Sequence, residues 1–225
     1  MLSDYQTLVI DLVRDDAGKI VTAERDRAIT AAVERYSKDR PRQTAEDLTP
    51  TSANVLPLPS TWVTDFSTLL SLEYPIGNVP RDLIEQDRYE FYRNTTAVVI
   101  QLLDAVAVAA SNTRATYTIK HSVTTTVDTI PVGDREAVAG YAAAALCDEL
   151  AALYSGGTDS TIQADSVEQK SKAADYSARA GRLRKRYFDE MGVDDKRNVA
   201  TGVVVNLNAK DSMGGDRLLH TRVLR

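Results

Sequence analysis

Residues 134–155 read DREAVAGYAAAALCDELAALYS. Val138, Tyr141, Ala142, Ala145, Leu146, Leu150 and Leu153 recur at helical spacing, so this stretch predicts a helix with Asp134 as its cap. Ala142 to Ala145 carry so little side-chain bulk that another helix can approach closely. Gly156-Gly157 stops it. A helix of this kind needs apolar partners, and the flanking sequence supplies them. Residues 166–191 predict a last helix, with Ser166 and Gln169 as a capping box and Gly192 as its end. Its apolar seam is thin: Val167, Ala174, Ala178, Leu183 and Phe188.

Two helices are expected near the start of the chain. Residues 3–13 place Tyr5, Leu8, Val9 and Leu12 on one face, with Ser3 and Gln6 as a capping box. Asp15, Asp16 and Gly18 break it. Residues 23–38 follow, capped by Thr22, with Ala28, Ile29, Ala32, Val33 and Tyr36 as the stripe; Pro41 prevents continuation. Residues 41–60, with Pro41, Pro50, Pro57 and Pro59, read as an irregular linker.

From residue 61 the period changes to two. In 62–74, Trp62, Phe66, Leu70, Leu72 and Tyr74 share one parity, which predicts one long half-buried strand ended by the turn Pro75 to Pro80. Residues 88–93, 96–103 and 114–121 read as three more strands. In the last, Ala115, Tyr117, Ile119 and His121 share a face. The expected architecture is α+β, mainly α: a four-helix bundle with a four-stranded antiparallel β subdomain inserted between helices 2 and 3, plus an extended C-terminal tail. The boundaries are 1–42 and 133–192 for the bundle, 43–132 for the β subdomain, and 193–225 for the arm. Within the arm, Gly202 to Leu207 reads as a strand able to add to a partner's sheet edge.

Composition narrows the class. The chain has 225 residues, 43% hydrophobic and 26% charged, enough apolar material for a real core. No run of about 18 apolar residues argues for a membrane span. The Met1-Leu2-Ser3-Asp4 start has no basic or apolar leader, so synthesis in the cytoplasm is expected. The single cysteine, Cys147, reads as a small buried core residue. Net charge is −5, unevenly spread: residues 165–225 carry 13 Lys/Arg against 9 Asp/Glu, on an otherwise acidic chain.

Catalytic and metal signatures are not expected. Neither His121 nor His220 lies in a metal-ligand spacing, and no phosphate loop or nucleophile elbow occurs. The carboxylate pairs Asp15-Asp16, Asp148-Glu149 and Asp194-Asp195 read as solvated. No cofactor is implied. The sharpest charged feature is Arg182-Leu183-Arg184-Lys185-Arg186, where Arg179, Arg182 and Arg186 share one helical face. That face reads as a protein contact, or as a solvated helix end. A DNA-binding use of Arg179, Arg182, Arg184 and Arg186 is less favoured, because acids interleave and few aromatics are near for stacking.

Three stretches resemble the head-to-tail adaptor proteins of tailed bacteriophages. The first is the N-terminal helix pair, with Asp4-Tyr5, Val9 to Leu12 and the run to Tyr36. The second is Leu70-Ser71-Leu72-Glu73-Tyr74-Pro75-Ile76-Gly77 followed by Val79-Pro80-Arg81. The third runs from Thr129-Ile130-Pro131 through Asp134, Ala137-Val138 and Ala143 to Cys147, on to Tyr154. It continues with Ser166-Val167, Tyr176, Arg179-Ala180, Leu183-Arg184 and Tyr187. The likeness covers about residues 1–192. It implies a non-enzymatic virion subunit in the phage neck, forming a ring, usually of twelve copies, on the portal protein. Such a ring meets tail or neck proteins on its other side. Genomic DNA passes through its lumen without sequence-specific binding, and no membrane is involved. Another head-completion or tail-terminator ring is the alternative. Interface candidates are Arg179, Arg182 and Arg186, the tail residues Val203, Val204 and Val205, and the turn residues Pro75, Gly77 and Pro80.

Overall fold

The computed structural model describes residues 1–15, 18–52, 54–95, 97–103, 113–156 and 163–193; of residues 163–171 it describes the backbone. The fold is α+β, with four α-helices and two antiparallel sheets. The described residues divide into two compact units, one of residues 1–42 and 120–193 and one of residues 43–119.

Four helices share the core of the first unit: α1 (Leu2–Val13), α2 (Thr22–Asp39), α3 (Arg135–Ser155) and α4 (Gln163–Met191). α3 touches the other three. Its small side chains make this possible: Ala137, Val138, Ala139, Gly140, Ala142, Ala143, Ala144, Leu146, Cys147 and Leu150 are all buried. By length and composition alone, Val132–Ser155 is apolar enough to cross a membrane, and over half of it is buried among the other helices. A helix apolar on nearly every side is what a central core element requires.

The helix ends differ from expectation. Ser3 lies inside α1 and Thr22 inside α2, one residue after Val21, whose N–H donates to the Glu24 carboxylate at 3.1 Å. Asp134 sits at the cap position of α3 but makes no side-chain cap bond. Its carboxylate turns instead to α2, accepting from the Tyr36 hydroxyl at 2.6 Å and Arg40 Nη1 at 3.0 Å. Gly192 ends α4 as expected. It is left-handed (φ 66°), and Val193 N–H donates to Phe188 O at 3.1 Å, closing a Schellman-type end.

The seam of α4 is also shifted. Ala174 and Ala178 are exposed, whereas Ala180, Tyr187, Phe188 and Met191 are buried with Leu183 and Tyr176 packed beside them. The expected seam left out Tyr176 and Tyr187. An aromatic body buries as well as leucine when its hydroxyl finds a partner. Tyr187 Oη donates to Asp39 at 2.7 Å, and Arg35 Nε holds the same carboxylate at 2.9 Å. Tyr5 reaches Asp128, which also binds Arg135 Nη2 at 2.9 Å. These contacts, with Val123 and Ile130 in the helical core, place residues 120–132 with the helices rather than with the β subdomain.

The second unit holds seven strands where four were expected. They are β1 (Arg42–Leu48), β2 (Val55–Pro57), β3 (Leu69–Glu73), β4 (Leu83–Ile84), β5 (Tyr89–Arg93), β6 (Val98–Leu102) and β7 (Thr113–Ile119). One sheet has the order β1-β7-β3-β4 and the other β2-β6-β5. Leu56, Leu72, Ile100, Leu102, Ala115 and Tyr117 lie at the centre of this unit's core. Each large apolar side chain fully buried there contributes about 1.5–3 kcal/mol.

β1 and β2 fall in the supposed linker. β1 is polar on both faces, so no alternation announces it; Glu46 on it accepts from Ser60 N–H and from Tyr117 Oη, each at 3.0 Å. The supposed long strand 62–74 is strand only from Leu69. Before it the chain turns, with Ser67 N–H donating to Val63 O at 2.8 Å and Asp65 left-handed at φ 63°. An irregularity between Leu69 and Ser71 then shifts the parity, so Leu70 is exposed and Glu73 is buried.

Burial first, and then the nearby carboxylate, hold the phenols of Tyr5, Tyr36 and Tyr187 protonated well above the usual tyrosine range. A pKa raised on folding stabilises the protein below the unfolded value, near 10, and that stability is lost as pH rises beyond it. Three such tyrosines predict a fall of about 4 kcal/mol per pH unit above pH ~10. Urea unfolding at stepped alkaline pH measures it, and Tyr36→Phe should flatten the slope by about a third. Burial likewise pushes the Cys147 thiol up to about 11. A disulfide reagent at neutral pH should leave the native thiol unmodified and react fully once denaturant is added.

Candidate assembly surfaces

α4 turns Ala180, Leu183, Tyr187 and Met191 inward, and this sets where its cations go. Arg179 does not stand on a free basic face. Its Nη1 donates to Val13 O at 2.7 Å, and its guanidinium lies 5.7 Å from the Tyr176 ring centre. Tyr176 Oη donates to Arg14 O at 3.4 Å, so α4 supplies two donors to the carbonyls at the end of α1. A cation there also complements the negative end of the α1 dipole.

Arg184 pairs with Asp148 of α3. Arg186 binds Glu136 of α3 at 2.9 Å and Glu190 at 2.6 Å. Arg182 and Lys185 are exposed and make no ion pair among the described residues. Of the three arginines expected to act as one patch, Arg182 alone makes no ion pair or hydrogen bond among the described residues, while Arg186 is exposed but paired. The spacing put all three on one side of α4, but the neighbouring helix ends claim Arg179 and Arg186.

The turn Pro75 to Pro80 joins β3 to β4 and is braced from within. Gly77 N–H donates to the buried Glu73 carboxylate at 3.2 Å, Tyr74 N–H to Asp82 O at 2.9 Å, and Asn78 Nδ2 to Asp82 Oδ2 at 2.7 Å. The Tyr74–Pro75 and Val79–Pro80 bonds are cis, and Gly77 takes φ 95°, which favours glycine. Pro75, Gly77 and Pro80 are exposed, and Val79 beside them is 98% exposed.

Further apolar groups lie open on the same unit. Leu83 on β4, and Phe91 and Tyr92 on β5, are exposed. Tyr92 lies opposite Val99, which lies opposite Pro57, so an apolar row crosses the outer side of the three-stranded sheet. Phe91 points to the other side and lies 5.6 Å from Trp62. Among the described residues β5 and β4 both end their sheets, and an edge strand presents N–H and C=O groups suited to pairing. Sequence reasoning did not single out these residues. The signal was present: adjacent aromatics in a strand must face opposite sides, so one faces away from the core. Arg114 on β7 forks onto Asp47 of β1 at 2.7 and 3.0 Å and holds that carboxyl below its usual range.

His121 lies two residues past the end of β7. Its Nε2 is 3.0 Å from Arg40 O, and its Nδ1 is 3.0 Å from Thr129 O and 3.1 Å from Thr129 Oγ1. Its N–H donates to Ser37 Oγ at 2.9 Å. Such a ring braces the chain. Asp148 and Glu149 are exposed and paired with Arg184 and with Arg27. No His/Cys/Asp/Glu group suited to a metal occurs among the described residues. Val203, Val204, Val205, His220, Asp16 and the Asp194-Asp195 pair lie outside the described residues.

Comparison with known proteins finds no matching family model and no matching curated sequence.

These placements separate two arginines one turn apart. Arg179→Ala should cost about 1.5–3 kcal/mol, because a charged donor to the α1 carbonyl is lost. Arg182→Ala should change stability by no more than about 0.5 kcal/mol. Equilibrium urea unfolding of the two variants tests this.

Proposed function

We propose that the chain is a structural subunit of a tailed-phage neck. It forms an adaptor ring, of twelve copies by the resemblance, that joins the portal protein to the tail or the next neck component. It continues the DNA channel, sits in the virion and catalyses no reaction. The observation that carries this reading is the open apolar surface of the β unit. Val79, Leu83, Phe91 and Tyr92 stand exposed beside free strand edges, and surfaces of that kind serve contact with partners.

The element order supports the reading: two helices, strands, then two helices. In it the helices form a bundle that makes the ring wall. The β unit, inserted between α2 and α3, leans on a neighbour, and the C-terminal arm extends to a partner, with Val203 to Val205 adding to a sheet edge. Residues 43–119 carry 9 Asp/Glu against 4 Lys/Arg. An acidic surface beside passing DNA repels phosphate and lets it slide. The engagement of Arg179, Arg184 and Arg186 within the chain argues against a DNA-binding module.

The test is the mass of the purified protein, alone and mixed with its portal, with electron microscopy of the mixture. A stacked ring on the portal is the expected result. Val79→Asp with Tyr92→Asp should abolish that complex while leaving the monomer folded by circular dichroism. A monomer that ignores the portal would end the adaptor reading. Salt-dependent binding to duplex DNA would then favour the other class.

A further inference from the structure

Strand β5 (Tyr89–Arg93) ends the three-stranded sheet and, among the described residues, is paired on one side only. Leu103 N–H donates to Arg88 O at 2.9 Å and Asn94 N–H to Ala97 O at 3.0 Å, so the even-numbered residues turn their backbone groups toward β6. Antiparallel pairing alternates, which turns the N–H and C=O groups of Tyr89, Phe91 and Arg93 to the open side. The side chains are open there too. Phe91, beside Trp62, is 47% exposed, and Tyr92 on the opposite face is 50% exposed. One further strand laid along β5 would cover both.

The chain itself carries a segment of that pattern, Gly202-Val203-Val204-Val205-Asn206-Leu207, beyond the last described residue. As a strand it puts Val203, Val205 and Leu207 on one face and Val204 on the other. The other sheet edges suit it less. β4 has two residues and β2 three, and β1 is polar along its length. Charge chooses the direction. Residues 82–90 carry 4 Asp/Glu against 1 Lys/Arg, whereas Arg93 ends β5. Residues 194–201 carry 2 of each sign, and residues 208–225 carry 4 Lys/Arg against 2 Asp/Glu. Antiparallel pairing brings the basic end of the segment to the acidic start of β5, and parallel pairing would bring it to Arg93.

We propose that residues 202–207 of one copy of this chain pair antiparallel with β5 of a neighbouring copy, Val205 opposite Phe91. This register sets Leu207 beside Tyr89 and Val204 beside Tyr92, so apolar side chains cover both faces of the edge. The inference rests on the assembly reading of the β unit. Each copy then offers one edge and one arm, and a head-to-tail contact of that kind closes into a ring. An arm folded onto its own copy would cover the edge but join nothing.

The test uses two full-length variants with tags of different length, Tyr92→Cys and Val204→Cys, mixed and oxidised with diamide. Cys147 is buried and stays in place. In the proposed register positions 92 and 204 form a non-hydrogen-bonded pair, whose Cα atoms lie about 4.5 Å apart, within disulfide range. A disulfide-linked dimer of the two tags is expected, at least tenfold above the yield of Leu70→Cys with Val204→Cys; Leu70 is exposed on the other sheet. Val205→Pro in the Val204→Cys chain removes an N–H that the pairing uses and should cut the yield at least tenfold. No mixed dimer, or equal yields from Leu70→Cys and Tyr92→Cys, overturns the proposal. So does a chain carrying both Tyr92→Cys and Val204→Cys that closes an internal disulfide instead of linking copies. The portal mixture is read separately. A stacked ring without the mixed dimer removes this contact alone, and a mixed dimer without portal binding removes the adaptor reading alone.

Discussion

A buried tyrosine hydroxyl must find a hydrogen-bond partner, and in this protein its partner is a carboxylate from far along the chain. Tyr36 meets Asp134, Tyr187 meets Asp39 and Tyr5 meets Asp128. Tyr117 does the same with Glu46 in the β unit. All four rings are fully buried. The alanine-rich surface of α3 offers little shape to set how its neighbours dock. The phenol–carboxylate pairs supply that registration, because a helix displaced by one turn would leave a hydroxyl and an ionised oxygen unpaired away from water.

Those carboxylates have a second task, and it decides which cations remain outside. Asp39 binds Arg35, Asp134 binds Arg40 and Asp128 binds Arg135. Arg179 is spent on the end of α1 and Arg186 on the start of α3. The helical unit therefore pairs much of its positive charge with its own carboxylates and carbonyls. What it exposes of its basic run is Arg182, Lys185 and Arg186, of which Arg186 is paired with Glu136 and Glu190. Val79, Leu83 and Tyr92 of the β unit have no comparable use among the described residues, which is why the proposed assembly role rests on them. Val79 in particular is held out by a turn whose own hydrogen bonds are complete without it.

α1 ends at Arg14 in a left-handed conformation, and Val9, Val13, Ile20 and Leu146 line a half-open space beside it. Asp15 Oδ2 accepts from Ile20 N–H, which ties the end of α1 to the residues just before α2.

Helical periodicity by itself determined the number and order of the helices. It did so because a 3.6-residue stripe is a local property that each segment carries whatever it packs against. The stops at Pro41 and Gly192 were equally local. Strands β5, β6 and β7 were legible from their alternation, but β1 was not, since Glu46 and Asp47 serve as partners to Tyr117, Ser60 and Arg114 rather than as a polar face. Among the site residues, the exposed turn Pro75 to Pro80 was readable from its composition. The joint patch of Arg179, Arg182 and Arg186 was not what spacing implied, because spacing places a side chain on a face and says nothing of what lies opposite. Only the tertiary structure decided which charges were paired internally and which carboxylate each buried tyrosine would meet. Each of those depends on groups distant in sequence brought within hydrogen-bond reach.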